Sequence, residues 1–456
     1  MVDNGYYAWM IVATALVLMM TTPALALFYG GMTRSKTVLN MMMMSFSAVP
    51  VVGLVFVLWG WSEGWGADGL GNSNGDLIAS PFKLFGLHGV SPANFIYVLF
   101  QLTFAVITVA LISGSIADRV KFSSWIVFQV LWVTVVYFVI AHNVWAGGWF
   151  YSKFPNLDYA GGTVVHINAG VAGGVLAAIV GKRRGFQKDP MKPHNLTLTM
   201  IGAGLLWFGW YGFNVGSIVF TTHGESKQGW GSFAAQFQGE TGVTFMNTTI
   251  ATMAACLGWL LVERLIHGKA TSLGAASGIV AGLVAITPSC GSVNTLGAIC
   301  VGAIAGMVCA VAISLKYKIG LDDSLDVVGV HLTGGILGAV LIGFFGTTSS
   351  PQGKDGLFVD NMNGLFYGGN AELLGHQAMG VLFTLVWSGG ITLILGLLIK
   401  YTIGWRVTAE EEIEGIDIVD HGETAYDIDH RGGGILGSSG ALAGGYGGHA
   451  KEGAHA

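Results

Sequence analysis

Apolar residues along this chain form long blocks that are separated by short polar segments. A helix needs about 20 apolar residues to cross a hydrocarbon core of about 30 Å. Blocks near this length lie at 7–29, 38–61, 95–116, 123–144, 162–181, 197–219, 245–266, 272–288, 294–315, 327–346 and 377–400. The pattern therefore predicts an all-α polytopic membrane protein with eleven transmembrane helices, of which 272–288 is the weakest by length.

The composition agrees with the block pattern. Of the 456 residues, 52% are hydrophobic and 10% are charged, and the mean hydropathy is +0.63. A soluble domain carries about a quarter of charged residues, so a soluble globular protein is excluded and no nucleic-acid partner is expected. The four cysteines show no CxxC spacing and are predicted to be packing residues, not a disulfide or metal set: Cys256, Cys290, Cys300 and Cys309.

The basic residues predict the orientation of the chain. With the N-terminus outside, only Lys83, Lys153, Lys227 and Lys354 of the 21 Lys and Arg residues fall on the external side. Cytoplasmic loops carry the excess of positive charge, so the N-terminus is predicted outside and the C-terminus inside. No basic residue precedes the first apolar block, so a cleaved signal peptide is not expected.

Two segments of the chain are copies of each other at an offset of 165 residues. In 158–166 and in 323–331 an Asp is followed eight residues later by a His, and Gly173 corresponds to Gly338 further on. Five spans separate the two copies. Because five is odd, the copies enter the membrane from opposite sides, so the two halves are predicted to be inverted repeats. The repeats lie at 7–181 and 197–346, and an eleventh span follows at 377–400. Eight helical residues cover about 12 Å, so His166 and His331 should be neighbours near the midplane.

An ionisable side chain within a membrane is costly and by default suggests a functional site. A single His at such a depth is as often a hydrogen-bonded packing residue, but a symmetric pair favours a transport site. A haem or metal site is the alternative. Metal-binding His residues usually have Cys or carboxylate companions at the same depth, and none is seen, so no metal and no cofactor are predicted.

Other polar and aromatic positions fit a pathway on the external side. Asp158 is predicted to cap the fifth span and to add negative potential there. Trp145 ends the fourth span, where its ring face attracts cations, and the Ser217 hydroxyl can accept a hydrogen bond. A Trp of an ordinary interfacial belt remains the alternative for Trp145. Phe100 and Phe104 share one helix face, which is more often packing than a gate, and Pro23 predicts a kink in the first span.

Five motifs in the chain resemble those of ammonium transporters of the Amt/Mep/Rh type, close to bacterial Amt channels. They lie, in the same order as in that family, at 26–31, 158–166, 207–214, 274–288 and 322–331. The resemblance implies an external ammonium recruitment site of Trp145, Phe104 and Ser217, stabilised by Asp158. It also implies a gate of Phe104 with Phe213, a lumen containing His166 and His331, and further pore-lining residues: Leu25, Phe28, Phe100, Trp210 and Val327.

The resemblance implies a transporter and not an enzyme. Such a protein recruits ammonium, or its analogue methylammonium, and conducts ammonia after deprotonation. A separate path for the proton stays open. A homotrimer in the plasma (inner) membrane is also expected. The alternative is an ammonium sensor built on the same fold.

The segment after the last span is predicted to be a cytoplasmic regulatory tail at 401–430, following a transmembrane domain at 1–400. By resemblance it binds the cytoplasmic face and a PII-type signalling protein, with Glu410, Asp417, Asp420 and His421 as candidate regulatory residues. Residues 410–412 are expected to stay solvated. The apolar residues of the tail are expected to be buried: Ile413, Ile416, Ile418 and Val419. The basic loop at 182–184 would supply the opposite charge. A solvated acidic tail is the alternative, and the Gly-rich end at 431–456 is predicted to be flexible.

Overall fold

The computed structural model describes residues 4–66, 75–189, 191–220, 232–348 and 362–426. Residues Met1–Ala425 form one compact unit, and the second unit, Tyr426–Ala456, lies almost entirely outside the described residues. The predicted flexible end at 431–456 is therefore outside them too. Within the described ranges the chain is helical, with two isolated β-bridges and no strand.

Ten helices are long and apolar enough to cross a membrane, among the residues that the structure describes. They are α1 Asn4–Met32, α2 Val38–Trp65, α3 Pro92–Ile116, α4 Phe122–Lys153, α5 Gly162–Val180, α6 Leu196–Val215, α7 Phe233–His267, α9 Thr295–Ile319, α10 Val328–Phe345 and α11 Ala371–Thr402. Between α7 and α9 lies the shorter apolar helix α8, Ser272–Ile286. The chain is thus an all-helical, multi-pass membrane protein, and the count of eleven spans stays a prediction because α8 is short.

Helix α1 is broken inside the membrane, as Pro23 predicts. Thr22 has φ −133° and ψ 104°, which is outside the helical region, and the chain resumes as a regular helix from Ala26. Proline cannot donate the helical hydrogen bond at its own position. Leu25 and Phe28, which follow the break, are both buried.

The two repeats meet where α5 crosses α10, and the crossing is symmetric. A Cβ on Gly170 would lie 2.5 Å from the backbone nitrogen of Leu332, and one on Gly335 would lie 2.9 Å from the Ile167 side chain. Gly170 corresponds to Gly335 and Ile167 to Leu332 at the repeat offset. Small residues allow helices in membranes to approach closely, so each repeat uses the same glycine to pack on the other.

A buried ion-pair cluster joins the loops at one end of the bundle. The Arg183 guanidinium lies 3.0 Å from Asp118 Oδ2 and 2.8 Å from Asp322 Oδ1, and Arg34 lies 3.5 Å from Asp118. Arg183 belongs to the basic loop that is predicted to supply positive charge to the tail, and its side chain is buried. Its charge is compensated inside the protein, because two carboxylates of neighbouring loops pair with it.

This cluster predicts a loss of stability in acid. Burial alone would raise the pKa of Asp322, but hydrogen bonds and ion pairing with Arg183 bring that pKa below its usual value, which is about 3.9. A lowered folded-state pKa stabilises the fold above about pH 4 and loses this effect as the pH falls further. Asp322→Asn should therefore lower the melting temperature at pH 7, and the difference from wild type should shrink below about pH 4. A difference independent of pH would contradict this role of the ion pair.

Candidate functional site

The two repeated histidines are in contact at the centre of the molecule. His166 on α5 and His331 on α10 have their Nδ1 atoms 3.3 Å apart and their ring centroids 5.3 Å apart. Both side chains are buried. The repeat predicted these imidazoles to be neighbours, and the structure places them so.

The contact between the imidazoles determines which hydrogen-bond donor and acceptor they present to a ligand. A neutral imidazole has one N–H donor and one acceptor nitrogen, so in an Nδ1–Nδ1 hydrogen bond one ring donates and the other accepts. The first ring then has a lone pair on Nε2, and the second has an N–H there. Within the described residues, His166 Nε2 is buried without a hydrogen-bond partner. This atom is available to a small polar ligand.

An enclosed and largely apolar cavity lies beside the histidines. Several predicted pore residues line it: Leu25, Phe28, Trp210, Phe213, His166 and His331. The remaining lining residues are also apolar: Met20, Ile107, Leu111, Val165, Leu206 and Val280. Sequence reasoning missed this second group. Ile107 and Leu111 continue the helix face of Phe104 at i+3 and i+7, so the 3.6-residue period could have identified them.

Two stacked aromatic rings lie next to the cavity, and one of them, Phe213, lines it. The rings of Phe104 and Phe213 are parallel within 15°, with centroids 4.0 Å apart. Trp145 contacts Phe104 edge-on at 5.9 Å, and the His166 ring lies 6.1 Å from that of Phe213 and stacks on Trp210 at 5.4 Å. The predicted recruitment, gate and lumen residues therefore form one continuous line of contacts. We call the end at Trp145 and Asp158 the first mouth.

Asp158 caps the start of α5. Its two carboxylate oxygens accept hydrogen bonds from four backbone amides, those of residues 161–164, at 2.6 to 3.0 Å. The Asp158 carbonyl also accepts a hydrogen bond from Trp145 Nε1 at 2.8 Å. Burial raises the pKa of the Asp158 carboxyl to about 6, although the amide hydrogen bonds lower it. Asp158 thus holds both the helix start and the indole ring in place.

Besides Phe104, Trp145 and Asp158, three more predicted site residues lie outside the cavity lining. The Ser217 hydroxyl donates to the Phe213 carbonyl at 2.8 Å, so Ser217 is connected to the first mouth through Phe213. The rings of Phe100 and Phe104 are 4.8 Å apart and tilted by 56°, and Phe100 lies about one helical turn before Phe104 in α3. Val327 is buried beside Gly114 and near Tyr29.

The second copy of the motif is also capped by its Asp, beside the last turn of α3. Asp323 accepts hydrogen bonds from the amides of Val327 and Val328 at 3.1 and 2.8 Å, and from the hydroxyl of Ser115 at 2.8 Å. Lys316 donates to the Asp323 carbonyl. We call this end the second mouth.

The tail segment packs on the loops of its own chain, mainly through polar contacts. It contains two short helices, α12 Ala409–Glu414 and α13 Ile416–His421. The Asp417 carboxylate caps α2 by accepting from the amides of Leu39 and Asn40 at 3.0 and 2.7 Å. Asp420 accepts from the first amide of α4, that of Phe122, at 2.9 Å.

Two expectations about the tail are wrong. Glu412 is 1% exposed instead of solvated, because it pairs with Arg406 at 2.7 Å and with Arg34 at 3.6 Å. Ile413 and Ile418 are 57% and 41% exposed in the single chain, so burial of these two side chains within the chain does not hold the tail. Of the four apolar residues only Ile416 is fully buried.

The other candidate regulatory residues differ in their surroundings. His421 lies with Nε2 3.0 Å from Asn40 Oδ1 and with its ring edge-on to Phe122. Glu410 is exposed. Across the described part of the chain, no group of three or more His, Cys, Asp or Glu residues is placed to hold a metal ion.

An all-helical membrane protein whose two repeats meet beside an enclosed cavity has the architecture of membrane transport proteins. Residues 8–426 match the model of the Ammonium Transporter Family. An ammonium transporter of Mycobacterium tuberculosis is 50% identical, over 95% of this chain and 92% of its own length. One of Aquifex aeolicus is 45% identical, over 93% of this chain and 94% of its own.

Solved structures agree with the sequence comparison. The crystal structure of Saccharomyces cerevisiae Mep2 has a TM-score of 0.77 and 30% identity, covering 90% of this chain and 88% of that one. A structure titled Sensor Amt Protein also has a TM-score of 0.77, at 25% identity, covering 91% and 98%. The chain described here belongs to the Ammonium Transporter Family, which is a family of transporters and not of enzymes.

Proposed function

We propose that this protein recruits ammonium at the first mouth, removes a proton from it and conducts ammonia along the cavity beside His166 and His331. The observation that carries the proposal is the order of the contacts. Trp145, the stacked pair Phe104 and Phe213, and then the imidazoles follow one another along a single line. The sensor alternative has less support, because the relatives with 45% to 50% identity are named ammonium transporters.

The energetics favour ammonia over intact ammonium in the cavity. Transfer of an isolated cation into apolar surroundings costs tens of kcal/mol in the Born limit. A contact with one aromatic ring face returns about 2 kcal/mol, so the aromatic residues bind the cation at the mouth but do not carry it through. Ammonium can lose a proton, and potassium cannot. Neutral ammonia can then hydrogen-bond to an imidazole Nε2 atom.

The distribution of the basic residues supports an orientation in the plasma (inner) membrane with the first mouth outside. The second mouth and the tail then face the cytoplasm. The resemblance to Amt proteins supports a homotrimer and a PII-type partner at the tail. The tail's contacts with α2 and α4 give such a partner a route to the helices. Light scattering of the purified protein, corrected for detergent, tests the trimer directly.

Uptake of methylammonium into liposomes tests the proposed function. Liposomes with the wild-type protein should take up methylammonium faster than empty liposomes, and potassium should not compete. Equal rates with and without protein would refute transport.

Trp145→Leu tests the recruitment site. It should raise the half-saturating methylammonium concentration, because a lost cation–π contact of about 1 to 2 kcal/mol corresponds to roughly 5- to 30-fold. The melting temperature of the purified variant serves as the control for folding. Unchanged half-saturation and rate would assign Trp145 to the interfacial aromatic belt.

A further inference from the structure

At each mouth the backbone carbonyl of the capping Asp accepts a hydrogen bond, but the donor side chain differs between the two mouths. At the first mouth the Asp158 carbonyl accepts from the indole Nε1 of Trp145 at 2.8 Å. At the second mouth the carbonyl of Asp323, the corresponding residue, accepts from the ammonium group of Lys316 at 2.9 Å. Trp145 and Lys316 do not correspond in the repeat, since Trp145 lies 13 residues before its Asp and Lys316 lies 7 before. Two unrelated side chains therefore occupy equivalent places.

A second difference lies three residues further along each copy. Gly161 and Asp326 correspond to each other, and both have positive φ, at +116° and +62°. Gly161 has no side chain, and a Cβ there would lie 2.6 Å from the Val165 side chain and 3.4 Å from the Trp145 ring. Asp326 fills that place with a carboxylate, whose Oδ1 lies 2.6 Å from Lys316 Nζ. Asp is among the few residues that adopt this conformation readily.

The surroundings of Lys316 Nζ are those of a bound ammonium ion. The group contacts the Asp326 carboxylate and the Asp323 carbonyl, and it lies 5.4 Å from the centroid of the Tyr317 ring. Carboxylate and carbonyl oxygens accept N–H hydrogen bonds, and an aromatic face within about 6 Å attracts a cation. The Lys316 side chain is 11% exposed and that of Asp326 is 22% exposed. The second mouth therefore holds a tethered ammonium group.

This ammonium group is near the passage. Asp326 precedes His331 by only five residues in the chain. The next residue, Val327, packs close to Gly114, beside the ring of Tyr29. Tyr29 donates to the carbonyl of Leu111, a residue that lines the cavity. The ion pair of Lys316 and Asp326 thus lies behind the residues that line the cavity, and Val327 and Tyr29 connect it to them.

We propose that Lys316 occupies an ammonium-binding position at the second mouth and so prevents free ammonium from being recruited there. The inference rests on the proposed function. The two mouths of a symmetric repeat then differ in chemistry, since one leaves an aromatic site open to cations and the other is filled by the protein's own cation. Removal of the Lys316 charge creates a vacant site for an ammonium-type cation, formed by Asp326, the Asp323 carbonyl and Tyr317.

Lys316→Met tests the inference by vacating the site while retaining an apolar stem. The readout is the rise in melting temperature of purified protein in ammonium chloride over that in sodium chloride at equal ionic strength. A ligand that binds only the folded state raises its stability, so the ammonium-dependent rise should be at least about twice that of wild type. It should persist when Trp145→Leu is added, because the new site is at the other mouth.

Two controls separate charge from packing. Lys316→Arg keeps the cation and should behave as wild type, and Lys316→Met with Asp326→Asn should lose the gain, since Asn also tolerates positive φ but carries no charge. Lys316→Gln keeps hydrogen-bond donors and replaces Lys316→Met, with the same expected outcomes, where the latter does not fold. An ammonium-dependent rise no larger than that of wild type would overturn the inference and assign the ion pair to holding the turn before α10.

The experiment also separates the two proposals. Liposomes in which the wild-type protein conducts no ammonium would refute the proposed function, whatever the melting data show. Wild-type conduction together with no Lys316-dependent change in ammonium binding would refute only the role of Lys316.

Discussion

Replacement of His166 by Asp should make the protein permeable to potassium. A carboxylate at this position would face the cavity next to His331, whose Nδ1 is 3.3 Å from that of His166 in the wild type. A fixed negative charge offsets part of the cost of a dehydrated cation, and deprotonation is then no longer required for entry. The ratio of methylammonium to potassium uptake into liposomes should fall by at least about tenfold, or about 1.4 kcal/mol.

His166→Asn is the matched control, because it has a similar size to Asp and no charge. It should still exclude potassium, even where ammonium conduction is reduced. His331→Asp should act like His166→Asp, since the two imidazoles are in contact from corresponding places. Wild-type selectivity in both Asp variants would contradict the role of the histidines in excluding cations.

Asp158→Ala should have the largest effect on stability. The carboxylate satisfies four backbone amides at the start of α5, and all four amides lose their acceptor in the variant. A buried donor without a partner costs about 1 to 3 kcal/mol, so we expect a loss of at least about 3 kcal/mol. The measurement is the melting temperature in detergent, together with the fraction of protein that elutes without aggregation.

Two further variants serve as controls for the effect of Asp158→Ala on stability. Asp323→Ala removes the corresponding cap of the second repeat and should also destabilise the protein, whereas Glu410→Ala changes an exposed carboxylate and should not. An Asp158→Ala protein that melts like wild type but does not transport would mean that the carboxylate acts on the ion rather than on the fold.

The sequence predicted the membrane helices well because the hydrocarbon core imposes one length and one polarity on all of them. The boundary of α7 differs most, with its helix starting at Phe233 instead of 245. The additional turns contain Gln236 and Glu240, both buried and polar. A hydropathy pattern does not detect a helix segment whose polar residues face the protein interior.

The histidine pair was predictable because the offset of 165 residues and the spacing from Asp to His together determine depth and symmetry. The tail was not. Residues 410–412 were expected to be solvated, but Glu412 pairs with Arg406 and Arg34. The cap that Asp417 forms on α2 was not predicted either. Such contacts depend on which helix ends and loop arginines reach the same place, and a local charge pattern does not contain that information.

The most direct test of the account is an ammonium pulse applied to liposomes that contain the wild-type protein, with current and internal pH recorded together. We expect a response to ammonium in at least one of the two signals, and no response to an equal pulse of potassium. Flux without current would mean that ammonia passes and the proton stays behind. A potassium current comparable to the ammonium signal would contradict deprotonation as the basis of selectivity, and no response to ammonium at all would contradict transport.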